Sequence, residues 1–91
     1  VYPNEVEDVI AELGGVVEVG VIGIPDERTG ESIKAFVVSS DSQLSAERIL
    51  EHCARSLTNY KRPRQVVFVD EIPKSPVGKV LRRQLREMHD G

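Results

Sequence analysis

Between Pro73 and Arg83 the chain reads P-K-S-P-V-G-K-V-L-R-R, and no other stretch restricts the backbone so tightly. Pro73 and Pro76 lock their φ angles and carry no amide hydrogen, while Gly78 opens conformations closed to residues with a Cβ. This combination predicts a short irregular loop. Downstream, Val80, Leu81, Leu85 and Met88 recur at helical spacing. The pattern predicts a helix from Lys79 to about Met88, with Lys79 standing where loop becomes helix. A cation on a stiff, solvent-facing stalk beside the positive end of a helix dipole suits an anion. The same residues also describe a proline-rich turn before an ordinary basic surface helix, and composition alone favours that plainer reading.

Length and charge narrow the choice. With 91 residues, 40% hydrophobic and 30% charged, the chain reads as one small soluble globular domain. No apolar run approaches the roughly 20 residues of a membrane-spanning helix, and no signal-peptide pattern is visible. A single cysteine, Cys53, excludes an internal disulfide and any cysteine-based metal site, and it fits a reducing, cytoplasmic setting. The net charge of −3 conceals an asymmetry. Residues 1–59 hold 4 Lys/Arg against 11 Asp/Glu, whereas residues 60–91 hold 8 against 4. The last third therefore attracts a phosphate-bearing ligand that the rest repels. With aromatics at 4% there is no stacking platform for nucleic acid. The start at Val1-Tyr2-Pro3, without methionine, gives the expectation of a fragment of something longer.

In chain order, Pro3 to Leu13 predicts a helix, with Val6, Val9, Ile10 and Leu13 on one face and Gly14-Gly15 ending it. Val16 to Ile24 and Ser32 to Ser39 read as strands joined by the turn Pro25 to Gly30. The second is apolar on both faces and so central in its sheet. Ser45 is a candidate N-cap for a second helix carrying Ala46, Ile49, Leu50, Cys53 and Leu57 on one stripe. That stripe makes Cys53 a core residue rather than a catalytic thiol. His52 and His89 have no partners for a coordination set. Gln65 to Val69 reads as a third strand. The order predicts an α/β (α+β) domain whose helices cover a mainly antiparallel three-stranded sheet. Lys34, Arg82, Arg83 and Arg86 read most simply as solvated surface charges.

At Tyr2-Pro3-Asn4-Glu5-Val6-Glu7 and at Pro73 to Arg83, the sequence resembles the adenylate-forming enzymes, which include acyl-CoA synthetases, luciferases and the adenylation domains of peptide synthetases. Y-P-N-E-V-E looks like the end of one motif of their small C-terminal domain. P-K-S-P-V-G-K-V-L-R-R looks like the final motif. V-I-G-I-P-D (residues 21–26), Gly30-Glu31 and Tyr60-Lys61-Arg62-Pro63 match in order and spacing, so the resemblance spans essentially all 91 residues. Residues 1–8 and 60–86 are most similar to bacterial long-chain fatty-acid–CoA ligases.

The resemblance implies a mobile C-terminal domain of an enzyme that joins a fatty acid to CoA in two steps, through an acyl-adenylate made from ATP. It implies that Lys79 reaches the acyl carboxylate and the ATP α-phosphate in the first step only. The domain then rotates, and Tyr2 to Glu7 comes near the channel for the CoA arm. Lys61 and Arg62 are candidates for CoA phosphates, with a solvated surface role equally open. The expected partners are a large N-terminal domain of the same chain, which carries the magnesium site and the acyl tunnel, and the fatty acid, ATP and CoA. Nucleic acid is not among them, and membrane contact of the full-length enzyme stays open. Two rival readings remain: an adenylation domain that loads a carrier protein, and a non-catalytic interaction module with this fold.

Overall fold

The computed structural model describes residues 3–28 and 30–90, and its elements follow the predicted order. They are α1 (Pro3–Ala11), β1 (Val16–Asp26), β2 (Gly30–Ser39), α2 (Ala46–Ser56), a 3₁₀ turn (Asn59–Lys61), β3 (Gln65–Phe68) and α3 (Arg82–Asp90). Tyr2 of the first motif and Thr29 of the first turn lie outside the described residues.

The sheet has the order β1-β2-β3, so β2 is central as its two apolar faces require. β1 and β2 pair antiparallel from Val16↔Ser39 to Asp26↔Gly30, carrying the ladder past Pro25 and shortening the expected turn. Pro25 is tolerated because β1 is an edge strand. β3 runs parallel to β2, from Lys34↔Gln65 to Val37↔Phe68, which makes the sheet mixed. The intervening helix explains the direction: a parallel neighbour needs a crossover, and α2 supplies it.

Alternation along the strands divides the core in two. On one face Val21, Ile33, Ala35 and Val37 pack against Val6 and Ile10 of α1 and Ile49 and Cys53 of α2. On the other, Ile22 and Phe36 meet Ile72 and Leu85 of α3. Ser45 caps α2 as predicted, its Oγ accepting from the Arg48 amide at 3.1 Å. Cys53 is fully buried, and burial pushes its thiol from the ordinary 9.0 up to about 11.

The last helix starts later than its apolar spacing predicts. It begins at Arg82, and Leu81 is the residue whose carbonyl accepts the first helical amides, those of Gln84 and Leu85. Lys79 and Val80 belong instead to the return arm of a hairpin. Val80 pairs with Lys74, and the Leu81 amide donates to the Pro73 carbonyl at 2.9 Å. Val80 reaches the same core as Leu85 from extended backbone, so it falls on the helical stripe without being helical.

Candidate functional site

The Lys79 loop is a tight hairpin rather than an irregular excursion. The Gly78 amide donates to the Ser75 carbonyl, and the Ser75 amide to the Lys79 carbonyl, both at 2.9 Å. This is a three-residue hairpin loop, Pro76-Val77-Gly78, with proline where φ is already set. Gly78 has φ +85°, the left-handed region that a side chain would strain. The Ser75 hydroxyl closes the loop further by accepting from the Lys79 amide at 3.2 Å. Ser75, Pro76, Gly78 and Lys79 thus each have a defined place in the loop. Lys79 is held at the neck, exposed, and Val77 sits at the tip with 82% of its surface in solvent.

The hairpin is fastened to β1 at successive points. Lys74 Nζ lies 3.4 Å from Glu18 Oε2. Val80 lies over Gly20, where a Cβ would stand 3.2 Å from Val80 Cγ1. Arg82 then closes the base. Its Nη1 donates to Glu7 Oε2 at 2.6 Å and to the Val21 carbonyl at 3.2 Å. Its Nη2 donates to Asn4 Oδ1 at 2.9 Å. Glu7 Oε2 also accepts from the Val21 amide at 2.9 Å. These contacts put the two motifs side by side: Asn4, Glu7, Gly78, Lys79, Val80 and Arg82 line one cleft of about 400 Å³.

Three basic residues expected as free surface charges have partners within the fold. Arg82 makes the contacts just described, and Arg86 Nη1 donates to the Gly23 carbonyl at 2.6 Å. The outward amide and carbonyl of Val21 and carbonyl of Gly23 are edge-strand groups that need partners, and charged side chains supply them. Lys34 is only 9% exposed. Its Nζ donates to His89 Nδ1 at 2.7 Å and stands 4.9 Å from the Phe36 ring centre. Arg83, by contrast, is exposed as expected.

The expected CoA-phosphate residues have local duties. Lys61 Nζ lies 3.1 Å from both carboxylate oxygens of Glu5. Arg62 caps the C-terminal end of α2, donating to the Leu57 and Ala54 carbonyls at 2.9 Å each. Arg62 still borders a cleft of about 490 Å³, with exposed Tyr60 and exposed Arg64 on its rim. The only sequence signal for Arg64 is its nearness to the Tyr60-Lys61-Arg62-Pro63 stretch. His52 Nε2 lies 3.1 Å from Glu12 Oε1, and among the described residues no group of three or more His, Cys, Asp or Glu could hold a metal.

Residues 5–79 match the AMP-binding enzyme C-terminal domain. The chain belongs to that family. It is 55% identical over 87 residues to a long-chain-fatty-acid–CoA ligase of Yersinia pestis, covering 96% of this chain and 16% of that protein. With a long-chain-fatty-acid–CoA ligase of Mycobacterium tuberculosis it shares 46% identity over 89 residues, 98% of this chain and 18% of that one. A solved Mycobacterium tuberculosis fatty acyl CoA synthetase superposes with a TM-score of 0.89 at 45% identity, covering 97% of this chain and 18% of that chain. ATP-bound MatB from Rhodopseudomonas palustris superposes equally well, 0.89, at 37% identity, covering 98% of this chain and 18% of that chain. The chain therefore spans about a sixth of the length of the curated relatives it matches. The α+β fold expected from the resemblance is the fold these neighbours share.

Proposed function

We propose that this chain is the mobile C-terminal domain of a fatty-acyl-CoA synthetase and that Lys79 is its catalytic cation. The observation that carries the reading is an exposed ammonium group on a fastened hairpin, at the cleft where both family motifs meet. In the first step a carboxylate oxygen of the fatty acid attacks the α-phosphorus of ATP, and pyrophosphate leaves with the broken P–O bond. In the second, the CoA thiol loses its proton and attacks the acyl carbon, expelling AMP. In the first step the attacking carboxylate is anionic and the phosphorus it attacks already carries anionic oxygens.

Lys79 acts on that step because negative charge gathers at one locus in its transition state. Two unit charges about 4 Å apart attract by about 1 kcal/mol in bulk water and about 4 kcal/mol at an effective dielectric near 20. The contribution of Lys79 therefore depends on closure against a large N-terminal domain that excludes water. That domain of the same polypeptide supplies the ATP pocket, the acyl tunnel and the magnesium ligands. A lysine suits a charge that must arrive and withdraw, where an arginine fork suits a fixed partner. ATP bound to a solved relative of the same fold supports the nucleotide assignment. For CoA phosphates, Lys61 and Arg62 stay the candidates, with Arg64 beside Arg62 on the rim of its cleft.

The test is product analysis with the full-length protein, ATP and a long-chain fatty acid. Acyl-CoA and AMP should form when CoA is present. Transfer only to a phosphopantetheinylated carrier protein would replace the ligase by a carrier-loading enzyme. Absence of both products would leave the non-catalytic module.

A further inference from the structure

We propose that Arg82 is the positioning residue of the Lys79 hairpin and that Glu7 is its anchor, an inference that rests on the role of Lys79 given above. The hairpin is internally closed by backbone bonds, so the orientation of Lys79 is decided where its arms join the body. One arm enters through buried Ile72, the other leaves into α3 through Val80 and Leu81. Arg82, three residues after Lys79, is the point at which that second arm is tied to both α1 and β1.

The tie is a closed ring. Arg82 donates to Glu7 and to the Val21 carbonyl, and Glu7 accepts in turn from the Val21 amide. Asn4 takes the second guanidinium nitrogen. A planar fork presents donors on two terminal nitrogens in fixed directions and so reaches Glu7, Val21 and Asn4 together, whereas an ammonium group offers its donors from a single nitrogen. The pair is largely sheltered, with side-chain exposures of 30% for Arg82 and 13% for Glu7, so salt screens it less than a surface pair. Its charge arrangement also opposes the local dipole. The first turn of α3 holds Arg82 and Arg83 with no acidic residue, an unfavourable end for cations, and the Glu7 carboxylate offsets it from outside the helix. Loss of the fork would free the hairpin to tilt, and a misplacement of about 1 Å at a reacting group can cost about 10²-fold in rate.

The experiment measures both half-reactions separately in the full-length enzyme, well below its melting temperature. The variants are Arg82→Met, which keeps the apolar stem, Arg82→Lys, Glu7→Gln and Lys79→Ala. Arg82→Met should lower kcat for acyl-adenylate formation by about 10- to 100-fold. KM for ATP and the rate of thioester formation from supplied acyl-adenylate should each stay within about threefold, on the same positioning argument. Glu7→Gln should produce the same selective loss to a smaller degree, and Arg82→Lys should recover part of the rate. Equal loss in both half-reactions, or in neither, overturns the positioning role. If Lys79→Ala abolishes adenylation while Arg82→Met and Glu7→Gln do not, only this inference fails; if Lys79→Ala is harmless, the functional reading itself fails.

Discussion

Gly20 on β1 and Leu85 on α3 meet with no room between them. A Cβ at residue 20 would stand 2.7 Å from Leu85 Cδ1 and 3.2 Å from both Ile72 Cγ2 and Val80 Cγ1. Leu85 is fully buried, so it has no open direction in which to retreat. The missing side chain is what lets α3 and the return arm of the hairpin lie flat on the strand. Gly20→Ala should therefore destabilise the domain by about 1–3 kcal/mol, as overpacking a filled core does. The intrinsic gain from replacing glycine in a strand, about 0.5–1 kcal/mol, works against that cost. Chemical unfolding checks the net sign: an alanine variant as stable as the parent would mean the contact is loose.

Lys34 and His89 form a second tie between the sheet and α3, and the two partners should respond unequally to removal. An ammonium group only donates, so His89 Nδ1 is its acceptor. His89→Ala leaves a nearly buried ammonium without that acceptor and should cost about 1–3 kcal/mol. Lys34→Met removes the charge and keeps the stem, so it should cost less. In the Lys34→Met background, His89→Ala should then add little. Additive losses across this cycle would show that the 2.7 Å contact carries no coupling.

Cys53 gives a pH dependence of definite sign. Burial raises its thiol from 9.0 to about 11, so between these values the folded state holds a proton that the unfolded chain releases. The contribution is fully present below pH 9, and it is lost as pH rises toward 11. Unfolding free energies of the parent should fall across that window more steeply than those of Cys53→Ala. Parallel curves for the two proteins would contradict the shift. The same burial predicts that an alkylating reagent labels Cys53 only through opening of the domain.

What sequence made legible was local. The Ser45 cap, the apolar stripe holding Cys53 and the central place of β2 each depend on residues within a few positions of one another. The parallel direction of β3 was within reach, since a helix already separates it from β2. The ties that fix the site were not. Arg82 and Glu7 are 75 residues apart, Lys34 and His89 are 55 apart, and Arg82 and Lys34 each read on their own as a solvated charge. Helical spacing predicts α3 from Lys79 and not from Arg82, because extended Val80 enters the same core as helical Leu85. Proline and glycine marked the loop correctly, yet its type appears only with the paired amides and carbonyls of Ser75, Gly78 and Lys79.

The most direct measurement is the rate of acyl-adenylate formation by full-length enzyme carrying Lys79→Ala, set beside its rate of thioester formation from supplied acyl-adenylate. Loss of a stabilising contact made in the transition state predicts a fall of at least about 10²–10³-fold in the first rate. The second rate should stay near that of the parent. An unchanged first rate, or equal losses in both, would contradict the role assigned to Lys79.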